Sequence, residues 1–160
     1  MTAKSIGIIV NGASGGIATR QHLESSLVAI RHEGGLDVEG ERVIPRLLLV
    51  GRNEERLADT ARRFEIDDWT TDLDLALANP DFSVLFDATA TGKRTKTLKR
   101  AIEAGKHIYS EKPVAPSVAE GLELQRAAEA CGVKHGAVED KLNLPGLRKL
   151  SYLIKQGFFS

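Results

Sequence analysis

Short apolar runs alternate along this chain with longer stretches in which apolar residues recur every three or four positions. The runs fall at residues 6–10 (Ile-Gly-Ile-Ile-Val), 47–50, around Trp69, and at 84–87, 107–109 and 133–138. They are nearly continuous, as expected for strands covered on both faces. Between them, Leu23/Leu27/Ile30, Leu57/Ala61/Phe64, Leu98/Ala101/Ile102, Leu124/Ala128/Cys131 and Leu147/Leu150/Ile154 mark the apolar stripes of helices. This alternation predicts βαβ units, and so an α/β fold on a parallel sheet. The punctuation agrees. Ser117-Val-Ala-Glu120 forms a capping box after Pro116, and Gly105, Gly132 and Gly157 stand where helices should stop. The polar, glycine-rich residues 33–45 read as an extended loop, and Phe158-Phe159 as the lead into a further strand.

Composition narrows the picture. The 160 residues suit one domain, or one domain and a fragment of another. The 22 basic residues balance the 22 acidic ones, so no global field favours nucleic acid or an anionic membrane. The apolar run at 6–10 is too short to span a bilayer and lacks the pattern of a cleaved leader, which points to a soluble cytoplasmic protein. A single cysteine, Cys131, gives no disulfide framework and fits a reducing compartment. It reads as a buried structural residue, and no metal site is expected.

The chemistry begins where the first strand meets Asn11-Gly-Ala-Ser-Gly-Gly-Ile-Ala18 and a helix follows. A strand, a glycine turn and a helix N-terminus together present backbone N–H groups to a pyrophosphate. Glycine supplies the backbone angles and keeps Cβ atoms away from the phosphates. The spacing is G-x-x-G-x-x-A, which lengthens the turn and offers the Ser14 hydroxyl to a phosphate. Gly12, Ser14, Gly15, Gly16 and Ile17 are therefore cofactor-binding candidates on a doubly wound, Rossmann-type parallel sheet. An ordinary βα turn without a ligand is the plainer alternative.

The tip of the second strand bears on which dinucleotide is held. An acidic residue there binds a ribose 2′-hydroxyl, and an arginine accommodates a 2′-phosphate. Here the tip reads Gly51-Arg52-Asn53, with no acid. Arg52 suits a 2′-phosphate and the adenine face, so NADP is favoured and NAD is the alternative. Asn53 doubles as an N-cap for the next helix. After the strand ending in Asp87, Ala88 and Thr89 lie at the same sheet edge. The basic cluster Lys93, Arg94, Lys96, Lys99 and Arg100 reads as a solvated helix face whose first residues approach the cofactor.

The segment Gly105-Lys-His-Ile-Tyr-Ser-Glu-Lys-Pro113 puts a charged pair at a strand's carboxyl end. A lysine there can polarise a carbonyl or hold a hydroxyl, and a neighbouring glutamate can orient it. On composition alone a surface ion pair would explain both. The longer stretch Ala101-Ile-Glu-Ala-Gly-Lys-His-Ile-Tyr-Ser-Glu-Lys-Pro113 closely resembles the hallmark segment of the glucose–fructose oxidoreductase/inositol dehydrogenase (Gfo/Idh/MocA) family. The glycine turn, the Gly51-Arg52-Asn53 tip and the ending Leu144-Pro-Gly-Leu-Arg-Lys-Leu fall in that family's order.

The resemblance implies an NAD(P)-dependent oxidoreductase acting on sugars, polyols or related carbonyl and hydroxyl compounds. It implies Lys112 as the catalytic or substrate-orienting lysine, with Glu111, Lys112 and Pro113 bordering the nicotinamide. It also implies residues 1–140 as the NAD(P)-binding domain, 141–160 as a connecting helix towards a C-terminal α/β substrate domain absent here, and a homo-oligomer in the full-length protein. The chain departs from the pattern at the lengthened glycine turn, and in lacking a histidine after Thr89. A third departure is Asp140-Lys141, where the family often shows an arginine, which makes Lys141 a candidate second substrate contact. His22, His32, His107 and His135 are expected to be structural or exposed. Two other readings stay open. One is a stand-alone NAD(P)-binding module without turnover. The other is an extended short-chain reductase, which the absence of a Tyr-x-x-x-Lys pair disfavours.

Overall fold

The computed structural model describes residues 3–159. Seven strands form one sheet: β1 (Lys4–Asn11), β2 (Leu36–Val38), β3 (Glu41–Val50), β4 (Trp69–Thr70), β5 (Val84–Asp87), β6 (His107–Ser110) and β7 (His135–Ala137). The spatial order is β2-β3-β1-β5-β6-β7, with β4 also on β3. All pairings are parallel except the β2–β3 hairpin. Without β2 the order is β4-β3-β1-β5-β6-β7, the doubly wound arrangement whose direction reverses beside β1. Ligands of such sheets bind at the carboxyl edge of that switch, between β1 and β5 here.

Side-chain alternation builds two cores. Ile9, Leu48, Val50, Leu85 and Ile108 face α3 (Leu73–Ala78), α4 (Thr91–Glu103) and α5 (Val118–Ala130). Val10, Leu47, Leu49 and Phe86 face the opposite layer, made of a π-helical segment (Ala18–Leu27), its continuation α1 (Val28–His32), and α2 (Glu54–Arg63). Ile9 and Val10 are both fully buried, about 1.5–3 kcal/mol of hydrophobic stabilisation for each side chain. Both faces of the sheet are therefore covered, which is why its strands read as continuous apolar runs.

Two sequence expectations are corrected. Residues 33–45 are no loop, because β2 and β3 form a hairpin closed by Glu39 and Gly40, both at positive φ (54° and 85°). Positive φ at both central positions makes the primed turn that suits a twisted hairpin, and its polar residues hide the strands from hydrophobic patterning. Pro45 is tolerated because β2 pairs with β3 only at 41–43 and β4 only at 49–50, leaving an edge that needs no N–H donor. Cys131 is exposed at the C-cap of α5, so it is no core residue. The stripe Leu147, Leu150 and Ile154 lies on α6 (Pro145–Lys155), the last helix the periodicity predicts, and is exposed there beside the preceding 3-10 turn (Asp140–Asn143). Phe158 and Phe159 are exposed after α6. Among the described residues, no helix is long and apolar enough to cross a membrane.

Candidate cofactor cleft and the Glu-Lys-Pro edge

The carboxyl ends of β1, β3 and β5 open into a cleft of about 630 Å3. The turn after β1 supplies Gly12, Ser14 and Gly15, and the tip of β3 supplies Gly51, Arg52 and Asn53. Ala88, Thr89 and Ala90 close the β5 side, with Lys93 and Thr97 from α4. The structure thus gathers seven of the residues singled out from sequence: Gly12, Ser14, Gly15, Arg52, Asn53, Ala88 and Thr89. Gly16 and Ile17 lie just beyond, exposed in the first helical turn, whose N–H groups have no intrahelical acceptor. Arg56, Thr71 and Leu73 also line the cleft, and their spacing gave no cofactor signal.

The cradle fits a pyrophosphate. Gly12 sits at φ +84°, and a Cβ there would lie 3.1 Å from the carbonyl carbon of Ala88. The N–H groups of Gly12 and Ala13 both donate to Val50 O, at 2.9 and 3.1 Å, tying the turn to the β3 tip. Asn53 Oδ1 accepts from Arg56 N at 2.8 Å and caps α2. Arg52, Arg56 and Lys93 are exposed, and no carboxylate among the described residues lines the cleft. A second cleft of about 390 Å3 lies at the opposite sheet edge. Arg46 there already pairs with Asp68 (3.0 Å) and Asp81 (3.2 Å), and its pKa is raised, first by its hydrogen bond to Asp68.

The other end of the site is organised differently. Asp87, fully buried at the end of β5, accepts from Asn11 Nδ2 (2.8 Å), Thr89 Oγ1 (2.8 Å) and Arg94 Nε (3.2 Å). Arg94 is 3% exposed, so it belongs to no solvated face. Its two terminal nitrogens donate to Thr89 O and Pro113 O. One guanidinium therefore bridges the cleft wall to the Glu-Lys-Pro turn. Lys93, Lys96 and Lys99 remain exposed, as read. Arg94 escaped the sequence reading because its buried partner stands seven residues earlier, on another element.

Glu111 follows β6, and its N–H donates to Asp87 O at 2.8 Å. Its carboxylate does not reach the Lys112 ammonium. One oxygen accepts from the Lys112 backbone N–H (3.0 Å), and the other lies 2.6 Å from His22 Nε2. Lys112 and Pro113 are exposed and joined by a cis peptide bond. Lys141 lies exposed in the 3-10 turn, outside the cleft lining. His32 and His135 are exposed, and His107 Nδ1 accepts from Lys134 N. His22 alone of the four meets the site.

The family model described as "Oxidoreductase family, NAD-binding Rossmann fold" matches residues 6–138. The chain belongs to the Gfo/Idh/MocA oxidoreductase family. It is 44% identical over 153 residues to the D-xylose dehydrogenase of Paenarthrobacter nicotinovorans, covering 95% of this chain and 39% of that protein. The chain thus spans about two fifths of that relative's length.

Two solved family structures show the same fold. A levoglucosan dehydrogenase in complex with NADH and levoglucosan matches with a TM-score of 0.80 at 24% identity, over 96% of this chain and 40% of that one. KijD10, a 3-ketoreductase from Actinomadura kijaniata in complex with NADP, matches at 0.77 and 19% identity, over 98% of this chain and 43% of that one. The matched family model is an NAD-binding one, so a nicotinamide dinucleotide is the cofactor class of this domain's family.

Proposed function

We propose that this chain is the cofactor-holding half of an oxidoreductase that passes hydride between a nicotinamide and a carbonyl or carbinol carbon of a sugar, polyol or related compound. The observation that carries the proposal is the continuity of the site. The glycine-turn cleft shares Thr89 with the Arg94 bridge, which leads directly to Glu111-Lys112-Pro113. The named activity of the xylose dehydrogenase relative supports the sugar class.

In this reading Gly12 and Gly15 keep Cβ atoms out of the phosphate cradle, and Ser14, Gly16 and Ile17 hold the pyrophosphate with hydroxyl and backbone donors. Ala88, Thr89, Glu111 and Pro113 border the nicotinamide, which when bound supplies or accepts the hydride. Lys112 Nζ faces solvent without a carboxylate partner among the described residues. It is the catalytic group, holding the substrate oxygen and passing a proton at that atom. Residues 1–140 form the cofactor domain. Residues 141–160 connect to a substrate domain, which the exposed apolar stripe of α6 supports.

NADP is the preferred cofactor. Support comes from Arg52, with Arg56 and Lys93, in a cleft that no carboxylate among the described residues lines. The test is calorimetric titration of the chain with NADPH and NADH, repeated on Arg52→Ala. Arg52 is exposed, so folding should be unchanged. A charge-assisted hydrogen bond contributes about 1.5–3 kcal/mol, so NADPH affinity should fall roughly 10- to 100-fold while NADH affinity holds. A folded chain that binds neither nucleotide overturns the cofactor role. Equal losses for both nucleotides overturn the 2′-phosphate role alone.

A further inference from the structure

His22 has no place in the function derived so far, yet it is built into the site. It projects from the π-helical segment that follows the glycine turn. The wide turn shows in the Val28 N–H, which donates to Leu23 O five residues back. His22 and Glu111 side chains are only 14% and 11% exposed, and Nε2 lies 2.6 Å from Oε1. The edge of the imidazole packs on Phe86, with ring centroids 4.6 Å apart at 71°. The ring is thus oriented by β5 and aimed at a carboxylate that belongs to the β6 turn.

The consequence lies in what Glu111 then does. With Oε1 held by His22, Oε2 faces the Lys112 backbone N–H at 3.0 Å. Both carboxylate oxygens are occupied by donors from different elements, and the Glu111 main chain is fixed to Asp87 O. A carboxylate held at both ends has one orientation, and the peptide it bonds has one orientation too. We propose that His22 is a positioning residue for the nicotinamide end of the site. Through Glu111 it fixes the Lys112 backbone, and so the direction in which the ammonium leaves the turn. Arg94 grips the same turn at Pro113 O from the other face of the sheet. The proposal rests on the cofactor role above.

The two ends of the dinucleotide can be read separately. The chain is titrated with NADPH and with 2′-phospho-ADP-ribose, which lacks the nicotinamide. Two variants are compared, His22→Asn and His22→Gln. A glutamine amide nitrogen reaches roughly where Nε2 stands, whereas an asparagine amide stops short of Glu111. Removing a group that orients a ligand-holding side chain typically costs about tenfold or more, as with the orienting partners of metal ligands. His22→Asn should therefore weaken NADPH about tenfold and leave 2′-phospho-ADP-ribose within about twofold. His22→Gln should restore most of the loss. The Lys112 amide proton, hydrogen-bonded to a carboxylate, should move upfield in the Asn variant and stay in place in the Gln variant.

Equal weakening of both ligands would mark a purely structural histidine and overturn the proposal. Unchanged NADPH affinity in His22→Asn would overturn it as well, as would a Gln variant no better than Asn. A wild-type chain that binds the two ligands equally tightly overturns it too, because the nicotinamide end then contributes nothing. Binding of neither ligand by wild type is the different failure, that of the cofactor role itself.

Discussion

The cleft over the glycine turn and the edge at Glu-Lys-Pro hold polar groups in opposite ways. At the cleft, Arg52, Asn53, Arg56 and Lys93 stand exposed on the tips of separate elements. At the edge, Asp87, Arg94, Ser110 and Glu111 are all buried. An exposed cation is free of desolvation cost and can change without disturbing its neighbours. A buried one is tolerable only when every lone pair and proton has a partner, and such a network acts as one unit. The exposed cations of the cleft are therefore separable from folding, whereas the geometry of the Glu-Lys-Pro edge is not.

The sharpest way to break this contrast is Asp87→Ala. It leaves the Arg94 guanidinium buried without its carboxylate, a change that costs about 3–5 kcal/mol. Urea unfolding should show that loss against an unchanged midpoint for Arg52→Ala. Similar midpoints for the two variants would mean that the regions do not differ. Next comes Gly12→Ala, which sharpens the cleft side. At φ +84°, with a Cβ 3.1 Å from backbone, alanine costs about 1–2 kcal/mol. Its Cβ also enters the phosphate cradle, so nucleotide binding should be lost while circular dichroism still shows the sheet. Retained affinity would place the pyrophosphate elsewhere.

The smallest effect tests a third setting, a buried cation away from the site. Lys106 is 6% exposed, donates to Asn79 O at 2.8 Å, and burial pushes its pKa below the usual 10.5. The unfolded chain then binds more protons between the lowered value and 10.5, so stability rises with pH across that window. Lys106→Met should flatten the rise, measured as the difference in urea midpoints between wild type and variant. Parallel curves would show that the lysine titrates alike in both states.

How much of this was legible follows from the range of each signal. The glycine turn, the Arg52 tip and the helix stripes at Leu57/Ala61/Phe64 and Leu98/Ala101/Ile102 were readable, because each is set by spacings within one or two elements. The hairpin at β2–β3 was not, since Glu39 takes a positive φ that its residue type does not announce. Cys131 followed the periodicity of α5 but falls at the cap, where the stripe has already turned to solvent. Glu111 was expected to orient Lys112. Its carboxylate meets the Lys112 backbone N–H, with its other oxygen against His22, a partner 89 residues away that no local spacing announces.

The sequence by itself determined the layered α/β class, the glycine turn after the first strand and the family. All of these rest on local periodicity and on motifs that close within a few residues. Only the tertiary structure decided which polar groups share a site. Asn11 meets Asp87 across 76 positions, and His22 meets Glu111 across 89. Such pairings carry no sequence period. They arise when the parallel sheet brings the carboxyl ends of β1, β5 and β6 side by side, and burial then demands that each donor there find an acceptor.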